Sequence, residues 1–114
     1  QNVNRIKTDT NDQCWPLLID QYLPGIECEV DVVSDGKDIV VPAVFEHIER
    51  AGVHSGDSIS VTPAVTLSKT VKAKLVEMAK QISQTVPIIG MMNIQFVIYE
   101  GTIYVLEVNP RSSR

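Results

Sequence analysis

The sequence predicts an α+β domain, an antiparallel sheet with one main covering helix. Three observations carry the prediction. Residues 91–111 read as two strands rich in β-branched and aromatic side chains, joined at Gly101. Residues 26–33 alternate, with Glu27, Glu29 and Asp31 on one face and Cys28, Val30 and Val32 on the other. Between these regions lies one long stretch, Lys69 to about Val86, whose apolar residues recur at helical spacing.

Length and charge bound the function. At 114 residues the chain is at most one domain. A net charge of −4 supplies no face rich enough in Lys and Arg to track a phosphate backbone, so no nucleic-acid partner is expected. No apolar run reaches the ~18 residues of a membrane span and no signal-like start is present, so no membrane partner and a cytoplasmic location are expected. Cys14 and Cys28, without secretory features, are expected to be free thiols. The chain opens on Gln1 rather than Met and reads as a piece of something longer.

In order, residues 1–16 form an irregular lead-in, polar and without sustained period, either loop or the tail of a helix. Leu17 to Leu23 is a short apolar run closed by the turn signal Pro24-Gly25. The alternating strand follows, and its three acids are what a solvated edge strand would carry. Residues 34–37 (Ser-Asp-Gly-Lys) turn into a second strand, where Pro42 removes a ladder donor and predicts a bulge or an edge. His47 has no second His or Cys at ligand spacing, so a zinc site is rejected. In the stretch 49–58, Gly52 and Gly56 flank His54 and Ser55, a composition that lets backbone N–H groups approach an anion or ribose. It is neither a P-loop nor a hydrolase elbow.

Ser68 is the expected N-cap of the helix. Val71, Leu75, Met78, Ala79, Ile82 and Val86 form its apolar stripe, the four lysines are a solvated face, and Pro87 stops it. For the final hairpin a three-residue loop, Tyr99-Glu100-Gly101, sets Phe96 against Tyr104 and Ile94 against Leu106 on a greasy face. Asn93 then lies opposite Glu107 on the other face, with Gln95 and Asn109 near by. A two-residue loop would instead place Gln95 and Glu107 on opposite faces. Carboxylate and amide oxygens suit a hard cation, and Arg111 and Arg114 beyond the strand suit phosphate oxygens. Composition alone favours the plainer reading, a solvated strand face ending in a basic tail.

Residues 46–58 (EHIERAGVHSGDS), 92–96 (MNIQF) and 106–114 (LEVNPRSSR) together resemble the large subunit of carbamoyl phosphate synthetase, from about Leu17 to the end. That subunit carries two copies of an ATP-grasp domain, and the Glu-His and His-Ser wording is similar to the second copy, which phosphorylates carbamate. The resemblance implies the C-terminal part of an ATP-grasp fold, a single partial domain whose nucleotide- and metal-binding subdomain spans residues 17–114. It implies Gln21 and Leu23 at the adenine edge, Glu27 (or its rival Glu29) on the ribose hydroxyls, and Gly52, Val53, His54 and Ser55 along the nucleotide. It implies Gln95, Glu107 and Asn109 as ligands of Mg²⁺ or Mn²⁺, with Glu107 bridging two ions, and Arg111 and Arg114 near the transferred phosphate. The implied partners are ATP, carbamate (bicarbonate in a first copy), the remainder of the large subunit and a glutamine amidotransferase small subunit. The expected parent is an ATP-dependent ligase of arginine or pyrimidine biosynthesis, with the isolated 114 residues inactive because half of the grasp is missing. Rival readings are another ATP-grasp ligase or carboxylase, and a non-catalytic nucleotide-binding module.

Overall fold

The computed structural model describes residues 2–11, 13, 15–86 and 88–111, the side chains of Asn2 and Ser55 excepted. Cys14, Pro87 and Arg114 therefore lie outside the described residues. The lead-in is not irregular throughout. Residues Asn2–Asp9 form a helix, α1, exposed all round, with the Thr8 hydroxyl donating back to the Asn4 carbonyl and an Arg5–Asp9 ion pair at 3.6 Å. Residues 15–24 are extended coil that carries Leu18 and Ile19 on the outside.

Five antiparallel strands follow: β1 (Ile26–Asp35), β2 (Ile39–His47), β3 (Ser60–Val61), β4 (Ile89–Tyr99) and β5 (Thr102–Arg111), in the order β3-β2-β1-β4-β5. β1 is thus central, and Glu27, Glu29 and Asp31 are half-buried rather than edge-strand solvation. The edge reading fails because β4, distant in sequence, pairs along the whole of β1, a long-range fact that local alternation cannot carry. At Pro42 the β1–β2 ladder shifts register between the Asp31–Ala43 and Val33–Val40 pairs, the expected bulge.

The single long helix, α2 (Lys69–Thr85), starts where the Ser68 side chain accepts from the Val71 N–H at 3.2 Å. Its stripe seats Leu75 and Ala79, fully buried, on Cys28, Val30 and Val32 of β1 and on Met92, Ile94 and Phe96 of β4. Each large side chain fully buried in such a layer contributes about 1.5–3 kcal/mol. Val86, placed in the stripe from sequence, instead ends the helix and is exposed.

The β4–β5 hairpin corrects the expected register. Glu100 and Gly101 both have positive φ (49° and 78°), so they form a two-residue turn and Tyr99 pairs with Thr102 inside the ladder. Phe96 consequently faces Val105, not Tyr104, and Ile94 faces Val108, not Leu106. Left there, the shift would place Glu107 on the helix side. A bulge between the Phe96–Val105 and Gln95–Glu107 pairs, with Leu106 as the extra residue, restores the phase. Gln95 ends directly opposite Glu107, and Asn93 opposite Asn109 rather than Glu107.

Candidate functional site: the polar face of the sheet

Because side chains alternate along strands, the residues paired across β2, β1, β4 and β5 define one face turned away from α2. It carries His47, then Glu27, Glu29 and Asp31, then Asn93 and Gln95, then Glu107, Asn109 and Arg111. His47 is 3% exposed in its side chain and sits between two acids, its Nε2 3.0 Å from Glu29 Oε1 and its Nδ1 3.5 Å from Glu27 Oε2. Asn93 Nδ2 donates to both Glu29 Oε2 (3.0 Å) and Asp31 Oδ1 (2.9 Å). The three β1 carboxylates are therefore tied sideways into both neighbouring strands.

Above this face runs the glycine-containing loop. Gly52 adopts φ +98° and donates its N–H to Glu27 Oε1 at 2.9 Å. The Tyr22 hydroxyl donates to the Ala51 carbonyl at 3.0 Å, and its ring covers the spot where a Cβ on Gly52 would stand. The base of the loop is closed by Glu49, whose Oε2 accepts from the Ser58 hydroxyl (2.7 Å) and the Ile59 N–H (2.8 Å); these bonds hold its carboxyl below the usual glutamate range. Within the loop the Gly56 N–H donates to His54 Nδ1, and residues Ser55–Asp57 make a 3₁₀ turn.

On the opposite face, Glu46 is buried beneath the segment that leads into α2. Burial works against its charge. The Thr66 hydroxyl and the N–H groups of Thr66, Val65 and Leu67 outweigh that effect and keep its carboxyl below the ordinary value. Cys28 lies beside it. Burial first, and then the charges of Glu46, Glu29 and Glu27, push this thiol up to about 12, so it is inert as a nucleophile.

The residues singled out from sequence fall into three groups. Gln21 and Leu23 line an open pocket of about 550 Å³ with Asp20, Tyr99, Glu100, Tyr104, Val105 and Leu106. Glu27 and Gly52 are in direct contact, whereas the rival Glu29 turns to His47 and Asn93. Gln95, Glu107 and Asn109 share one face, with Arg111 on the same face two pairs beyond Gln95–Glu107. Val53 and His54 are exposed on the loop that follows Gly52. Sequence reasoning missed Tyr22, His47 and Leu106. Only the strand parity that places position 47 beside Glu27 could have drawn His47 in.

The donor set of one carboxylate and several amide oxygens suits a hard divalent cation, which takes oxygen ligands and keeps water and phosphate for the rest. Among the described residues no three of His, Cys, Asp and Glu gather as a metal group, so any ion here rests mainly on amides. A buried acceptor on the same face, Asn93 Oδ1, lacks a hydrogen-bond partner, and the residues fit an ion on that ground.

Comparison with known proteins decides the family. Residues 6–114 match the model described as carbamoyl-phosphate synthase L chain, ATP binding domain. The chain belongs to that family. It is 56% identical over 109 residues to the carbamoyl phosphate synthase large chain of Agathobacter rectalis, covering 96% of this chain and 10% of that one. It is 54% identical over 99 residues to the large chain of Clostridium botulinum strain Loch Maree, covering 87% and 9%. This carbamoyl-phosphate synthase family chain thus spans about a tenth of the length of the curated relatives it matches. Its fold is shared with an N5-carboxyaminoimidazole ribonucleotide synthetase solved as an ADP complex (TM-score 0.69, 20% identity, 82% of this chain and 25% of that one). It is also shared with the biotin carboxylase domain of a single-chain bacterial carboxylase (0.64, 24%, 84% and 22%). These neighbours are ATP-grasp enzymes, and the five-stranded sheet is part of that fold. No helix among the described residues is long and apolar enough to cross a membrane.

Proposed function

We propose that this chain supplies the nucleotide- and metal-binding half of an ATP-grasp site in a carbamoyl phosphate synthase large chain, the copy that phosphorylates carbamate. The observation that carries the reading is the continuous polar face, on which Gln95 and Glu107 are paired directly and Glu27 holds the Gly52 N–H. Gln21, Leu23 and Leu106 would hold the adenine edge, and Glu27 the ribose. Val53, His54 and Ser55 would follow the nucleotide along the loop. Gln95, Glu107 and Asn109 would hold Mg²⁺ or Mn²⁺, which when bound neutralises phosphate charge.

Phosphoryl transfer asks little covalent help of a protein and depends on positioning and on charge. Glu27 orients the sugar and thereby the phosphate tail. Arg111, with Arg114, meets the equatorial phosphate oxygens through guanidinium forks. Carbamate is already an anion, so no general base is required of this chain. The other half of the grasp, the remainder of the large chain and a small amidotransferase subunit complete the enzyme.

The experiment is a thermal shift of the full-length large chain with ATP and Mg²⁺. The wild type is expected to gain stability on binding and Glu107→Ala to lose most of that gain. An undiminished shift in Glu107→Ala sinks the assignment. Carbamate-dependent ADP formation that survives Glu107→Ala at wild-type rate sinks the choice of copy.

A further inference from the structure

We propose that Asn93 is a positioning residue for the cation of this face, its Oδ1 accepting a hydrogen bond from a water carried by the ion that Gln95, Glu107 and Asn109 hold. The inference rests on the metal reading above and extends it to an atom outside that ligand set.

Three observations converge on it. Asn93 is 2% exposed, yet its Oδ1 has no partner. Buried acceptors are almost always satisfied, so an orphan marks a place where something else belongs. Among the described residues, the buried side-chain atoms in this condition are Asn93 Oδ1 and His47 Nδ1, and both lie on the polar face.

The second observation is orientation. The Nδ2 of Asn93 is committed to two carboxylates of β1, Glu29 at 3.0 Å and Asp31 at 2.9 Å. Flipping the amide would aim its oxygen at both carboxylates, so the assignment of nitrogen and oxygen is fixed by charge. The oxygen, on the other branch of the amide, is left without a donor. The third observation is register, which places Asn93 directly opposite Asn109 and next on the same face to the Gln95–Glu107 pair.

An acceptor in that position calls for a donor. Small divalent ions shed their waters reluctantly, and partners that hold those waters tune affinity as ligands do. Glu29 and Asp31 thus act through Asn93, fixing which way its amide faces.

The test uses Mn²⁺ binding to the full-length large chain in the presence of ADP, followed by electron paramagnetic resonance. Wild type and Glu107→Gln are compared first: if Glu107→Gln binds Mn²⁺ as the wild type does, the metal reading itself falls, and this inference with it. If Glu107→Gln is impaired, Asn93→Ala is expected to raise the Mn²⁺ dissociation constant by about 10–100-fold. The affinity of metal-free ADP should stay within about twofold. A normal Mn²⁺ affinity in Asn93→Ala, whatever its melting temperature, overturns the proposal and leaves Asn93 a brace for Glu29 and Asp31. Should Asn93→Ala fail to fold, Asn93→Ser decides, since it adds no charge beside Glu29 and Asp31 and its shorter side chain withdraws the acceptor from the ion's water. It should raise the Mn²⁺ dissociation constant by about 10–100-fold, and a wild-type affinity overturns the proposal.

Discussion

Replacing Gly52 by Ala tests how the loop and the coil before β1 are joined. Gly52 stands at φ +98°, where an L-residue costs about 1–2 kcal/mol. The new Cβ would come 3.2 Å from Tyr22 Cε2, so the ring must give way by a few tenths of an ångström. That movement strains the bond from the Tyr22 hydroxyl to the Ala51 carbonyl, worth about 1 kcal/mol. Together these raise the energy of the present loop conformation by about 2–3 kcal/mol. If only this conformation binds nucleotide, the apparent dissociation constant for ATP rises by about 30–150-fold. Isothermal titration of the full-length chain with ATP measures it. Gly90→Ala is the control, because it is strained in the same way (φ +121°) but has open space around its Cβ and lies at the other end of β4. Affinity for ATP within about threefold of wild type in Gly52→Ala would refute the reasoning, since the loop would then have no part in holding the nucleotide.

Other substitutions separate stability from function. Glu46 has a depressed folded pKa, so its contribution is present above the ordinary value of 4.5 and is lost as pH falls through the lower folded value. Glu46→Gln should lower the denaturation midpoint at pH 7 and narrow its gap from wild type below pH 4, read by urea titration at several pH values. Phe96→Ala empties a fully buried position and should cost about 3–5 kcal/mol, seen as a lower denaturant midpoint. Cys28, with its thiol at about 12, should resist alkylation by iodoacetamide at pH 8 until the protein is unfolded, as mass spectrometry of timed samples would show.

Local chemistry made much of this chain legible. Ser68 and the spacing of Leu75 and Ala79 located α2, Pro42 located a bulge, and the turn residues located both hairpins. What sequence could not supply was phase. Whether Glu100-Gly101 forms the whole turn or the end of a longer one depends on backbone angles that several residues tolerate, and one residue of error exchanges the faces of a strand. The expected convergence of Gln95 with Glu107 was reached through two departures, a shorter turn and a bulge, and each alone would have undone it. The central place of β1 was hidden for another reason: three acids on alternate positions look alike on a solvated edge and on a ligand face. Only pairing with β4 tells the two apart. Tyr22 and His47 were given no part in the site because each acts through a partner far away in the chain, Ala51 for the one and the acids of β1 for the other.

The extra residue at Leu106 gives β5 one unit of slack between the hairpin tip and Glu107. Loss of any one residue from 103–106 could straighten the strand and still leave the Glu107 carboxylate across from Gln95, whereas gain of one would throw it to the wrong side. Tolerance to length change in this segment is therefore lopsided. A chain shortened there would keep Gln95 facing Glu107 while redrawing the wall that Leu106 gives the pocket beside Gln21 and Leu23.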